Sequence, residues 1–418
     1  MVISERRAVV TGLGIVAPNG IGKKAFWEGL IEGRNSIGRI RRFNAEPFAS
    51  QVGAEVTAFR PHPKIPQEHL ASMDRAYQFG VTAAIEAVED AGLDFSCEDT
   101  SRAGVYMGVA VAGVDIGEKQ FNVFRERGVN ALAPHLYQAW LPSACSGYIS
   151  LFFGLHGQSH VFSTGCTSSI DAIGVALEAI RRGEEDIVLA GGAESPMTPM
   201  SLNSFCAMRA LSTRNQDPAH ASRPFDRERD GFVLGEGSAV LVLESLAHAR
   251  ARGAHIYGEL AGYATTSNAF HMTAPEPTGE QSARAFRMAF ADAETPSEAV
   301  DYICAHGSST PLNEKVETLA IKKAFGSRSY QIPVSSIKSM IGHTLGSAGA
   351  LQAVTCALVL SQGAVPPTIN YQYPDPACDL DVVPNTARDR RVRVAVTNTA
   401  GFSGKNSVLV MRQLKTLH

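Results

Sequence analysis

Between residues 73 and 92 apolar positions recur at helical spacing. Ala76, Phe79, Ala83 and Ala87 share one face and Gly92 stops the pattern, so a helix is predicted there. Ahead of it, residues 7–14 read as a strand running into a glycine turn at Gly12 and Gly14, and residues 104–110 and 160–163 read as further strands. The most informative stretch is 160–191. A short strand ends at Ser163, a helix carries Ile170, Ile173, Leu177 and Ile180 on one face with Gly183 as its stop, and residues 187–190 form a second buried strand. Strand, helix and strand in that order predict parallel strands joined by a right-handed crossover.

The second half repeats this grammar. Residues 302–305 form a strand ending at His306, and residues 332–335 form a strand followed by Lys338 and His343. A helix from about Gly346 carries Leu351, Val354 and Leu358 before Gly363, and the last strands, 392–397 and 407–411, flank the turn Gly401-Phe402-Ser403-Gly404. The pattern predicts an α/β protein of two similar halves, 1–252 and 253–418.

Composition narrows the function class. At 418 residues, 44% hydrophobic and 19% charged, the chain has ample core for one large domain built of two halves. A net charge of −3 with no basic run excludes a nucleic-acid footprint. Residues 1–7 offer neither an apolar signal core nor a small-residue cleavage site, and no uninterrupted apolar run approaches the roughly 20 residues of a membrane span. A mature cytoplasmic protein is therefore expected. Dinucleotide binding at Gly12 and Gly14 fails because the third glycine of the fingerprint would fall on Ala17. Seven dispersed cysteines without CxxC spacing argue against a disulfide scaffold or a zinc site, and no metal is expected.

Cys166 stands where a strand ends and a helix begins, after the tight turn at Thr164-Gly165. Unpaired N–H groups and the helix dipole favour an anion there, so its thiol is expected to titrate below the free value of about 8.5. Two readings stand, a nucleophile or a packed cysteine at a helix start. His306 and His343 follow strands in glycine-bearing loops, and the carboxyl ends of parallel strands form the rim where ligands bind. Three candidates at equivalent strand ends favour convergence, since a nucleophile needs hydrogen-bonding neighbours. Glu317 and Lys338 are either a buried pair that holds the histidine loop or two exposed charges.

Laid out in this order, the chain resembles the β-ketoacyl synthase family over nearly its whole length. The segment Ser163-Thr164-Gly165-Cys166-Thr167-Ser168 is similar to the family's cysteine motif. His306-Gly307-Ser308-Ser309-Thr310-Pro311 and Lys338-Ser339-Met340-Ile341-Gly342-His343 are similar to its two histidine motifs. Arg223-Pro224-Phe225-Asp226 and Asn398-Thr399-Ala400-Gly401-Phe402 match further. The resemblance implies a five-layered αβαβα thiolase fold, a dimer, and a Cys-His-His triad of Cys166, His306 and His343 with Lys338 and Glu317 in support. It implies an oxyanion hole from the N–H groups of Cys166 and Phe402, gate residues Phe205 and Phe402, and contact of Ser308 and Thr310 with phosphopantetheine. That arm belongs to the acyl carrier protein substrate, so no cofactor of the chain's own is implied.

Within the family the chain looks most like the catalytic ketosynthase subunit (KS-alpha) of type II polyketide synthases, which pairs with a chain-length factor as a heterodimer. The alternative is β-ketoacyl-acyl carrier protein synthase II of fatty acid synthesis, normally a homodimer. Ala400, Ser403 and Lys405 depart from the Phe, Gly and Thr usual in the fatty acid enzymes. The stretch 68–72 lacks their basic carrier-docking residues, which shifts docking to Arg209 or to a partner subunit. Three rivals fit less well. A cysteine hydrolase elbow needs glycines where Thr164 and Ser168 stand, a chain-length factor lacks the cysteine, and a degradative thiolase carries a second cysteine where Gly401-Phe402 lies.

Overall fold

A computed structural model describes residues 6–414, and the stretch 1–7, read above as a mature N-terminus, lies largely outside them. Ten strands carry the architecture. In chain order they are β1 (Ala8–Ala17), β2 (Ala103–Gly108), β3 (Ser159–Phe162), β4 (Ile187–Glu194), β5 (Gly237–Ser245), β6 (Gly258–Ser267), β7 (Tyr302–Cys304), β8 (Val334–Ser335), β9 (Val394–Gly401) and β10 (Lys405–Arg412). They form one continuous sheet in the order β8-β7-β9-β10-β6-β1-β5-β4-β2-β3.

The seam is the short antiparallel pairing of β1 with β6, Ala8 opposite Leu260 to Val10 opposite Gly258. Outward from it, each half places its first, fifth, fourth, second and third strands in turn. The outer three strands of each half are parallel and the inner pairings antiparallel. The expected parallel relation of β3 and β4 is present, with β2 lying between them.

Three apolar clusters fill the spaces between five structural layers, the central one on both faces of the middle helices. On the outer face of the first half, the helix Arg75–Ala91 buries Ala76, Phe79 and Ala83 against Val105, Leu189 and Val240. On the outer face of the second, the helices Glu280–Asp292 and Asn313–Phe325 bury Phe286, Phe290, Ile321 and Phe325 against Ile303, Val334 and Val408. Between the halves lies the central core. There the helices Ser168–Arg181 and Ala348–Gln362 pack Ile173, Leu177, Leu351 and Val354 with Leu241, Leu243, Tyr302 and Leu409. This is the αβαβα sandwich that the resemblance implied. Leu345–Gln362 is apolar and long enough to cross a membrane by composition, with mean hydropathy 1.3, but 89% of it is buried as the central core helix.

One local expectation is overturned. Gly12 and Gly14 do not end a strand, because β1 runs straight through them. A Cβ on Gly12 would lie 2.1 Å from the Ala87 carbonyl oxygen, and one on Gly14 1.8 Å from that of Ala83. The glycines let the helix Arg75–Ala91 sit directly on the strand. Two features then place the site. Each central helix is preceded by a tight turn, Gly165–Thr167 in one half and Leu345–Ser347 in the other, and the carboxyl ends of β3, β7, β8 and β9 all lead toward those turns.

Candidate active site

Cys166 occupies the turn Gly165–Thr167, where Gly165 takes φ +73°, a conformation that glycine adopts without steric cost. The thiol shares a pocket of about 100 Å³ with His306, His343, Ser308, Thr310, Asn398 and Phe402. Its expected low pKa is corrected: burial pushes it up to about 11, against the Lys338 cation and the N–H groups of Phe402 and Cys166 itself, which favour the thiolate. The dipole and donors are present as expected, and desolvation outweighs them.

His343 Nε2 lies 3.1 Å from Cys166 Sγ. Its Nδ1 accepts the Leu345 N–H at 3.2 Å, presented by a backbone at φ +47°, so the ring proton of the neutral imidazole sits on Nε2 and points at the sulfur. The His306 ring stands edge to face with it, centroids 5.2 Å apart, and its buried Nδ1 has no hydrogen-bond partner. Burial first, and then the Lys338 charge, hold both imidazoles well below the usual histidine range, so both are neutral donors at neutral pH.

Lys338 and Glu317 are both buried, but they are not the ion pair that was one reading of the sequence. Lys338 Nζ donates to the His306 carbonyl at 2.6 Å and to Gln352 Oε1 at 3.0 Å. Burial lowers its pKa to about 8, with the neighbouring Cys304, Glu317 and Cys166 working the other way. Glu317 accepts the N–H groups of His306 (2.7 Å) and Gly307 (2.9 Å) and the amides of Asn313 (3.1 Å) and Asn398 (2.7 Å). One residue grips the histidine loop by its carbonyl and the other by its N–H groups, which removes any need for direct contact. Gln352 completes the frame: its Nε2, with two protons to give, lies 3.0–3.1 Å from the carbonyl oxygens of Cys304, Ala305 and Asn398 and 2.9 Å from Thr397 Oγ1. Sequence reasoning missed it, although a lone amide inside an apolar helix was the available signal.

The remaining candidates divide. Ser308 and Thr310 line the pocket together, their hydroxyls 3.0 Å apart, and Phe402 forms part of its wall. Phe205 stands one ring behind: it stacks edge to face on Phe232 (5.4 Å), which stacks on His343 (5.3 Å). Arg209 is exposed at φ +53° and lies outside the pocket. Glu194, fully buried and also missed, accepts N–H groups from Ala110 (2.6 Å), Val111 (3.1 Å) and Gly346 (3.1 Å), tying the loop after β2 to the second central helix. Burial raises its pKa to about 7 against those three bonds.

Residues 5–249 match the beta-ketoacyl synthase N-terminal domain and residues 257–372 its C-terminal domain. The chain belongs to the beta-ketoacyl synthase family. It is 45% identical over 412 residues to a putative polyketide beta-ketoacyl synthase 1 of Streptomyces cyaneus, covering 97% of this chain and 98% of that one. It is 42% identical to the 3-oxoacyl-(acyl-carrier-protein) synthase 2 of a Synechocystis strain, covering 98% and 99%. Its structure superposes with TM-score 0.92 on one chain of a complex between a type II polyketide synthase acyl-carrier protein and its ketosynthase bound to the hexaketide (39% identity, 99% and 100% covered). With TM-score 0.91 it matches the ishigamide ketosynthase/chain length factor (34% identity, 99% and 100% covered). As a ketosynthase the chain is an acyltransferase of the thiolase fold, with type II polyketide ketosynthases among its most similar relatives.

Proposed function

We propose that this chain is the catalytic ketosynthase subunit of a type II polyketide synthase, with Cys166 as the acylated thiol. The observation that carries the reading is a nucleophile-bearing helix turn with a neutral imidazole N–H 3.1 Å from its sulfur. An acyl group passes from the phosphopantetheine thioester of an acyl carrier protein to Cys166. Thioester exchange conserves the proton, since Cys166 releases one and the departing carrier thiol takes one up, so a thiol near pKa 11 needs no permanent base. Malonyl on a second carrier then loses carbon dioxide. Its thioester oxygen takes the developing enolate charge, and the N–H donors of His306 and His343 lie in the pocket to receive it. The enolate carbon attacks the acyl carbonyl, whose oxyanion is held by the N–H groups of Cys166 and Phe402. Cys166 then leaves as the thiolate and takes one proton from solvent to return to the thiol, since the malonyl carboxylate brings none.

The partner reading rests on the surface beside β3. That strand ends the sheet with Ser159 and His160 exposed, and exposed Trp140 and Leu151 lie on the helices that precede it. An apolar face next to an unpaired strand edge suits a homologous subunit, here a cysteine-less chain-length factor. Ser308 and Thr310 would contact the carrier's arm and Arg209 its acidic surface. The fatty acid alternative is supported by the 42% identical synthase 2. Intact-mass analysis after incubation with acyl carrier protein should show one acyl adduct, located on Cys166 and lost in Cys166→Ala; an adduct that survives the substitution overturns the assignment. An isolated chain that elongates unaided as a homodimer overturns the polyketide reading and leaves the chemistry standing.

A further inference from the structure

One turn into the helix Ser168–Arg181 lies Asp171, a carboxylate with 6% of its surface exposed and no cation in contact among the described residues. A charge withdrawn from water in this way must be compensated by hydrogen bonds. Four hydroxyls supply them. Thr164 and Thr167 donate to Oδ2, the latter at 2.9 Å, and Tyr263 (2.8 Å) and Ser407 donate to Oδ1. Burial, with the Asp171 charge beside it, raises the Tyr263 pKa, so the phenol stays a donor.

The placement of the four donors is informative. Thr164 and Thr167 flank Cys166 in the nucleophile turn, whereas Tyr263 and Ser407 stand on β6 and β10 of the other half. The strand β10 continues directly from the turn Phe402–Gly404, whose first N–H faces the Cys166 sulfur. Gly174 lets Tyr263 approach the helix, because a Cβ there would lie 2.2 Å from the ring. One carboxylate therefore joins the turn that carries the nucleophile to the strand behind its second backbone donor.

We infer that Asp171 is a positioning residue that locks these two pieces together and keeps the N–H groups of Cys166 and Phe402 converged on one point. It does not line the pocket. The inference rests on Cys166 being the acylated thiol. Both tetrahedral steps at that carbonyl depend on the convergence, whereas malonyl decarboxylation depends on His306 and His343, which are held by Glu317, Lys338 and Leu345.

The test is Asp171→Asn, which keeps the shape but turns one acceptor into a donor that faces hydroxyls. Single-turnover acyl transfer to Cys166 should slow about tenfold, since small misplacements of reacting groups cost up to about a hundredfold. Malonyl decarboxylation by fully acylated enzyme should stay within about threefold. Tyr263→Phe, which removes one donor and leaves the carboxylate, should show a smaller loss in the same direction. Should Asp171→Asn fail to fold, Ser407→Ala reads the same ratio. Loading at the wild-type rate, or loading and decarboxylation falling together, overturns the inference. A wild-type enzyme that is not acylated on Cys166 would instead overturn the reading beneath it.

Discussion

Replacing His343 with alanine tests the division of labour at its centre. The ring has one proton to give, because Nδ1 is taken by the Leu345 N–H and burial beside Lys338 keeps the imidazole neutral. In the resting enzyme that N–H faces Cys166 Sγ, and under the proposed mechanism acylation frees it for the enolate oxygen of malonyl. Loss of one donor to a developing oxyanion costs about 2.7–4 kcal/mol, a hundredfold to a thousandfold in decarboxylation. Loading loses only a bond to a sulfur that carries charge transiently, about 0.5–1.5 kcal/mol or up to roughly tenfold. The two rates are read in single turnover, loading by intact-protein mass and decarboxylation by carbon dioxide release, with thermal melting as the fold control. Because both histidines have lowered pKa values, activity should be lost only as pH falls well below 6.5, and no histidine inflection should appear between pH 6.5 and 8. Equal loss of both steps in a folded variant, or an inflection near 6.5 that persists in Glu194→Gln, refutes the reasoning.

Glu317→Gln exchanges an acceptor for a donor within a ring of four N–H bonds, so stability should fall by about 1–3 kcal/mol in chemical denaturation. Decarboxylation should suffer with it. Gly165→Ala places a side chain at φ +73° with open space beyond the Cβ, so only the backbone resists; a loss of about 1–2 kcal/mol and slower loading are expected from melting curves and acylation rates. His248 lies between Glu98 (3.0 Å) and Glu244 (2.5 Å); burial alone would lower its pKa, but the two carboxylates raise it above 6.5. That contribution is complete below the unfolded pKa and disappears as pH rises through the folded one. His248→Ala should therefore lower the melting temperature more at pH 6 than at pH 9, and an equal drop at both would refute the pairing.

The sequence announced the site's chemistry more clearly than its electrostatics. Strand ends, glycine stops and helical spacing are local, and they located Cys166, His306 and His343 at the termini that the fold brings together. Residues that act across the halves left weaker marks. Asp171 reads as an ordinary first-turn acid until Tyr263 and Ser407 reach it, and Gln352 as a stray amide until Lys338 does. Gly12 and Gly14 were misread because the helix that requires them lies about seventy residues further along the chain.

The raised thiol pKa, which sequence reasoning had the wrong way round, is what the proposed second half of the reaction requires. A persistent thiolate 3.1 Å from His343 Nε2 would raise the pKa of that imidazole and draw a second proton onto it. The resting site would then hold a thiolate–imidazolium pair in place of neutral groups. Burial avoids this by keeping sulfur and both imidazoles uncharged together, while Lys338, with its pKa near 8, carries the positive charge behind the His306 carbonyl. Once Cys166 is acylated the sulfur no longer competes for the Nε2 proton. Two neutral N–H donors are then left in a pocket whose remaining electrostatic demand is the oxygen of the incoming malonyl thioester.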